Sequence, residues 1–356
     1  MNRVRRGNEG VCMKVLVTGV EGYIGALLAP ILMARGHEVV GLDCGYYRDG
    51  WLYSDQREFP QFPRMINKDL RHITEADLEG FEAVVHLAEL SNDPLGQNNP
   101  ENTTKINHVG SVNLATKAKK VGVGRFVYTS SCSVYGVGEG DFLSEESGVN
   151  PQTAYAECKV LVERDVGALA DDAFSPVFLR NATAYGASPR MRFDIVLNNL
   201  SGLAKTINKI AMVSDGTPWR PLVHVLDICK AIYCALEAPR EAIHGEIFNV
   251  GHNEDNYQVR EIAEIVGTTF PGCEVTMGPS GGDNRSYRVL FDKIYSRLPG
   301  FSCDWDARAG AKQLYDVFNR IEMSEETFES RPFTRLKQLE YLIRTKQIDD
   351  EFFWTC

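Results

Sequence analysis

The stretch "KVLVTGVEGYIG", Lys14–Gly25, runs from a short valine-rich segment into glycines at every third position, Gly19, Gly22 and Gly25. Lys14–Thr18 reads as a buried strand, and the apolar spacing of "YIGALLAPILMARG" after it reads as a helix. At such a junction each glycine has its own task. Gly19 permits the tight turn, Gly22 lets the backbone approach a pyrophosphate, and Gly25 lets the helix lie close on the sheet. The helix N-terminus then offers free N–H groups and the positive end of its dipole. Glycines mark any tight turn; the valine-rich strand in front of these makes them a dinucleotide signature. Gly19, Gly22, Tyr23, Ile24 and Gly25 are therefore candidate cofactor contacts.

Outward from this turn the pattern repeats. "HEVVGLD", "EAVVHLA", "RFVYTSS" and "PVFLRNATAYG" read as further strands, and "NHVGSVNLATKAKKVG" as an intervening helix with lysines in its last turn before a glycine stop. Strands alternating with helices predict an α/β fold, a Rossmann-like doubly wound parallel sheet. After about residue 180 the rhythm loosens into a smaller C-terminal α/β substrate lobe. The expected organisation is a disordered tail over 1–12, a dinucleotide-binding domain over 13–180 to which later segments return, a second lobe over 181–330 and a terminal helix over 331–356. Leu336, Leu339, Leu342 and Ile343 share one face of that helix, which predicts that it docks. Asp43 ends the second strand eighteen residues past Gly25, where a carboxylate accepts from an adenosine ribose and repels a 2′-phosphate. That favours NAD over NADP, with Arg48 close by as the feature that keeps NADP in view.

Bulk properties narrow the function classes. The 356 residues are 44% hydrophobic and 24% charged, which suits a folded chain with a sizeable core. A net charge of −10 without a basic block argues against nucleic acid as a partner. No apolar run approaches the ~20 residues that span a bilayer, so no membrane partner is expected. Nine cysteines without a CxxC pair fit a reducing cytoplasm and no metal site.

The motifs "TGVEGYIG", "GLD", "KDLR", "HLAELSNDP", "YTSSCSVYG", "YAECK", "LRNATAYGASPRMR", "RPLVHVLDI", "FNVG" and "DNRSYRV" follow one another in order between Lys14 and about Ile294. In this the chain resembles the extended short-chain dehydrogenase/reductase superfamily, and within it the nucleotide-sugar epimerase/dehydratase group that includes UDP-glucose 4-epimerase. The terminal helical region lies outside the resemblance. By resemblance, Asp69 and Leu70 contact adenine, Leu87 and Ala88 line the nicotinamide side, and a homodimer pairs through helices near 100–120 and 155–170. "HLAEL" departs from the commoner "HLAA", and Glu89 has no assigned role.

Tyr155 and Lys159 in "YAECK" stand four apart, on one face of a helix. A phenol with a pKa of about 10 is a poor base near neutrality, and an ammonium one turn away favours the phenolate. The resemblance implies Ser131, Tyr155 and Lys159 as the catalytic set: Tyr155 takes the proton of a sugar hydroxyl, Ser131 orients the reacting oxygen, and Lys159 also holds the nicotinamide ribose. Related dehydratases carry Asp–Glu where Cys132 and Ser133 stand, and related decarboxylases carry Glu at Ser133. Cys132, one residue off the cysteine position of 3,5-epimerising relatives, reads as a packed thiol. The expected reaction is NAD-dependent 4-epimerisation of a nucleoside-diphosphate sugar, with an NAD(P)H-dependent 4-ketoreductase of a 4-keto-6-deoxy sugar as the alternative and, ranked after it, a dehydratase, a decarboxylase or a non-catalytic dinucleotide-binding sensor. Ser131, Thr183, Asn199, Arg190, Arg192, Arg220 and Arg285 are the candidate substrate contacts: by resemblance Arg220 and Arg285 grip the diphosphate with Asn199 near it, and Arg190 and Arg192 lie in a substrate loop. Relatives commonly have Asn where Thr183 stands.

Overall fold

The computed structural model describes residues 12–54, 62–91, 99–136, 142–280 and 286–355. The sheet starts with β1 (Lys14–Thr18), whose residues are buried on both faces apart from Lys14. That explains the unbroken apolar run: a central parallel strand is covered by helices on either side. β2 (Glu38–Asp43), β3 (Arg64–Asn67), β4 (Ala83–His86), β5 (Arg125–Ser131) and β6 (Ser175–Asn181) follow. The strand Ile247–Val250 completes a seven-stranded sheet in the order Ile247–Val250, β6, β5, β4, β1, β2, β3. Every pairing in it is parallel. Strand order reverses between β1 and β4, which opens a crevice at the carboxyl ends of these two strands.

One apolar cluster joins Val15, Val17, Leu28 and Val85 on one sheet face to Ile228, Phe248 and Phe318 of the later chain. A second cluster covers the other face with Leu16, Val84, Leu114, Phe126 and Val162. The chain after β6 adds a three-stranded sheet of Asn256–Gln258, Trp219–His224 and Thr183–Tyr185. It also supplies the helices Val196–Ile207, Val259–Thr269 and Ala307–Arg320. The strand Ile247–Val250 and the helix Val225–Glu237 pack back on the first sheet. Residues 1–11 of the expected tail lie outside the described residues.

The periodic strand reading has no counterpart for β3. Its sequence, "RMIN", is four residues long at the sheet edge, with polar ends and only two apolar positions. The terminal helix Arg335–Arg344 buries Leu339 and Leu342 against Tyr46, Leu90 and Ile106. It thus docks beside the loop that follows β2, on the dinucleotide half of the molecule. The segment beyond it stacks Phe353 on His72 at 4.8 Å.

Candidate functional site

The turn after β1 is built so that no side chain fits. Gly19 has φ 71°, and a Cβ on it would lie 2.8 Å from the Ala88 nitrogen. A Cβ on Gly25 would lie 2.3 Å from the Gly19 oxygen and 2.6 Å from the Val20 Cα. The helix Gly25–Ala34 has no side-chain cap and no acidic residue in its first turn, so its positive end is left for an anion. Asp43 accepts N–H bonds from Glu21 at 3.0 Å and Gly45 at 2.8 Å. Burial nonetheless raises its pKa above the ordinary carboxylate value. Thr18 Oγ1 takes the N–H groups of Leu87 and Ala88, both at 3.2 Å, and so fixes that strand end over the turn. Asp69 caps its own turn and binds Arg71, accepting from Nε at 2.9 Å and Nη2 at 2.7 Å. This cradle fits a dinucleotide: a turn whose glycines leave bare backbone for the pyrophosphate, and a carboxylate for the ribose. Gly25→Ala is expected to lose copurifying cofactor outright, because its clash is with backbone; a normal absorbance ratio at 260 and 280 nm in that variant would contradict this.

Gly19, Gly22, Tyr23, Ile24, Gly25, Asp43, Asp69, Leu70, Leu87 and Ala88 all line one cavity of about 690 Å³. Ser131, Tyr155, Lys159, Thr183, Arg192 and Arg220 line the same cavity, further along. Tyr155 and Lys159 come from the helix Ala154–Gly167, whose start is capped by Thr153 accepting from the Ala156 N–H. The Lys159 ammonium lies 5.4 Å from the centre of the Tyr155 ring. Ser131, at the end of β5, accepts from the Ser133 N–H at 3.1 Å. Its neighbour Ser130 donates to Glu163 at 2.5 Å, inside a buried pair of Glu163 and Arg180. The hydroxyl of Ser130 is thereby committed to the core.

Lys159 is 4% exposed and forms an ion pair with the equally buried Glu89. It also donates to the Thr129 carbonyl at 2.5 Å, and Tyr128 donates to Glu89 at 2.5 Å. Burial, the largest influence, would by itself lower the Lys159 pKa, but Glu89, Tyr155 and Glu163 together outweigh it and raise that pKa above the ordinary lysine value. No local sequence signal foretells this pair; only the departure from "HLAA" singles out Glu89.

Several proposed substrate contacts stand elsewhere. Arg190 is a correction: it does not line the cavity, and its Nη1 donates to the carbonyls of Tyr47, Arg48 and Gly50 at 3.1, 2.6 and 3.0 Å. It ties down the loop after β2, because those carbonyls have no strand partner. Asn199 also lies off the cavity lining and donates to the Phe193 carbonyl at 2.9 Å. Arg192 faces the cavity, but its charge is met by Asp194 at 2.9 and 3.0 Å. Arg48 is held by Glu21 at 3.0 Å and Asn67 at 2.7 Å. Arg285 lies outside the described residues. Cys132 is packed away from the cavity, donating to the Arg180 carbonyl at 3.2 Å, and burial pushes its thiol pKa up. Arg335, at the start of the terminal helix, lines the cavity without any forewarning in the sequence motifs.

Residues 15–251 match the NAD dependent epimerase/dehydratase family. The chain is 34% identical over 260 residues to the UDP-glucose 4-epimerase of Mycolicibacterium smegmatis, covering 67% of this chain and 77% of that one. It is 28% identical over 268 residues to the UDP-glucose 4-epimerase of Corynebacterium glutamicum, covering 71% and 79%. Among solved structures, MoeE5 in complex with UDP-glucuronic acid and NAD superposes with a TM-score of 0.72 at 26% identity, covering 86% of this chain and 99% of that one. UDP-glucuronic acid decarboxylases of Arabidopsis thaliana also match, at 28% identity. Among the described residues no helix is long and apolar enough to cross a membrane.

Proposed function

The chain belongs to the NAD dependent epimerase/dehydratase family, and from that premise we propose that it is a nucleotide-sugar 4-epimerase. In this reading Tyr155 takes the proton of the C4 hydroxyl and gives it back after the ketone has turned. NAD, when bound, supplies the acceptor and later the donor of the C4 hydride. Lys159 keeps positive charge beside the phenol, which favours the phenolate. Ser131 donates a hydrogen bond to the reacting oxygen and holds it in line. Arg220 and Thr183 face the sugar nucleotide. One proton and one hydride leave C4 and both return, so the cycle is redox-neutral.

One observation carries the choice among reactions. The carboxylates lining the cavity are Asp43, Asp69, Glu89 and Asp194. Each is already engaged, by turn N–H groups, Arg71, Lys159 with Tyr128, and Arg192 respectively. Among the described residues none is left to remove a C5 proton or to protonate a leaving C6 hydroxyl. A C4 epimerisation needs neither.

The test is incubation with UDP-, dTDP- and GDP-hexoses, with products followed by NMR. Convergence of C4 epimers to one ratio from either side, without added NADH, is expected. A dehydrated sugar or a pentose with released CO2 would overturn the reading; consumption of one NAD(P)H per 4-keto-6-deoxy sugar would identify the ketoreductase instead. Asp43→Ala is expected to weaken NAD binding about 10- to 100-fold, the worth of a charge-assisted hydrogen bond, and to narrow the preference over NADP. Titration calorimetry with both dinucleotides checks it, and an unchanged NAD affinity would remove Asp43 from the ribose. A homodimer through the helices near 100–120 and 155–170 belongs to this reading; Val109 there is 56% exposed. Light scattering at twice the 39.8 kDa chain mass checks it.

A further inference from the structure

Arg335 opens the terminal helix, outside the span that matches the family. It is 3% exposed, yet it lines the cavity. The central carbon of its guanidinium lies over the Tyr47 ring, 4.0 Å from the centroid. Among the described residues no carboxylate, carbonyl or hydroxyl accepts from it. Its N–H donors thus meet only the Tyr47 ring and the cavity, which is costly for a cation so little exposed to water. The like charge that acts on it, Arg192, is already paired with Asp194. Burial and then Arg192 bring the Arg335 pKa down to about 10, a sign of a cation short of an anion.

The cavity is where that anion can come from, and its position in the cavity says which one. Arg335 sits against Tyr47, four residues past Asp43, and of the carboxylates it feels Asp194 first and then Asp43. Asp194 is already paired with Arg192, which leaves Asp43 to mark the end it faces. The glycine turn and Asp43 mark the adenosine and pyrophosphate end. The cation of the opposite end is Arg220, carried by the strand Trp219–His224 of the second lobe. We propose that Arg335 is a dinucleotide-binding residue that clamps the cofactor pyrophosphate from the side opposite the glycine turn. The terminal helix is then a strap: Leu339 and Leu342 anchor it to the loop after β2, and Arg335 closes it over the bound diphosphate. A guanidinium forking onto two phosphate oxygens would satisfy donors that the protein leaves unmet. This inference holds whichever sugar reaction the site performs.

The experiment uses the full chain stripped of nucleotide. Arg335→Gln is expected to raise the NAD dissociation constant about 10- to 100-fold, to leave UDP binding within twofold, and to keep the melting temperature of the stripped protein equal or higher. The last result separates ligand binding from a structural role, since removing an unmatched buried cation relieves the apo protein. Arg335→Lys should recover part of the NAD affinity. Unchanged NAD affinity, weakened UDP binding in place of NAD binding, or a lowered melting temperature without an affinity loss would each overturn the proposal.

Discussion

Replacing Tyr155 with phenylalanine is expected to lower turnover by about 10²- to 10⁴-fold, the usual contribution of a positioned general acid–base group. The change deletes one oxygen and keeps the ring. The ring contact with the Lys159 ammonium, 5.4 Å from its centre, is therefore preserved, as is the Thr153 cap that starts the helix. Folding and cofactor content should stay as they are. In the proposed reaction, removing the phenol leaves the C4 hydroxyl without a free base among the described residues: the lining carboxylates are engaged, and Ser130 is tied to Glu163. The measurement is steady-state epimerisation beside the NAD content of the same preparation. Turnover within tenfold of the parent protein would show that the proton goes elsewhere.

Glu89→Ala is expected to destabilise the fold by about 3–5 kcal/mol, the cost of stranding one member of a buried ion pair. The melting temperature would drop by roughly 5–10 °C. The physical case rests on what surrounds Lys159. Its side chain is 4% exposed and that of Glu89 2%. Without the carboxylate, the ammonium keeps one carbonyl, Thr129 O, and the faces of the Tyr128 and Tyr155 rings. Tyr128 in turn loses the acceptor of its hydroxyl. A double variant decides whether charge burial is the cause. Glu89→Leu combined with Lys159→Met removes both charges and refills the space, and such exchanges are often neutral or stabilising. It should melt above either single variant, although it will be inactive. Additive losses in that cycle would mean that packing around the two side chains, and not their charges, sets the stability.

Much of the dinucleotide half is legible because its signals are local. Gly19, Gly22 and Gly25 must be glycine for reasons a few atoms away: one positive φ and backbone contacts under 3 Å at Gly19 and Gly25. β1, β2 and β4 announce themselves by Val-rich runs and β5 by its Phe-Val-Tyr core, since strands covered on both faces have little polar side to show. The Tyr155–Lys159 spacing is readable in the same way. Where the local signal is thin, as in the edge strand "RMIN", nothing in the sequence announces the element.

The arginines tell the other half. Arg190, Arg192 and Arg335 are alike in a linear reading: basic residues in or near a binding lobe. Arg190 ends on three carbonyls some 140 positions earlier in the chain, and Arg192 on a carboxylate two residues away. Arg335 arrives at the cavity from a terminal helix with no partner waiting. Glu89 likewise acquires its meaning from a lysine seventy residues later in the chain. The sequence alone thus determined the strand–turn–helix chemistry, the nucleotide-binding architecture and the Tyr155–Lys159 spacing, because each depends on neighbours within one or two turns of chain, while Ser131 entered the candidate set through the family resemblance. Which charges are spent inside the protein, and which stay open to a ligand, was decided only by the tertiary structure. A buried ion's partner is chosen by distance in space, and distance along the chain carries no record of it.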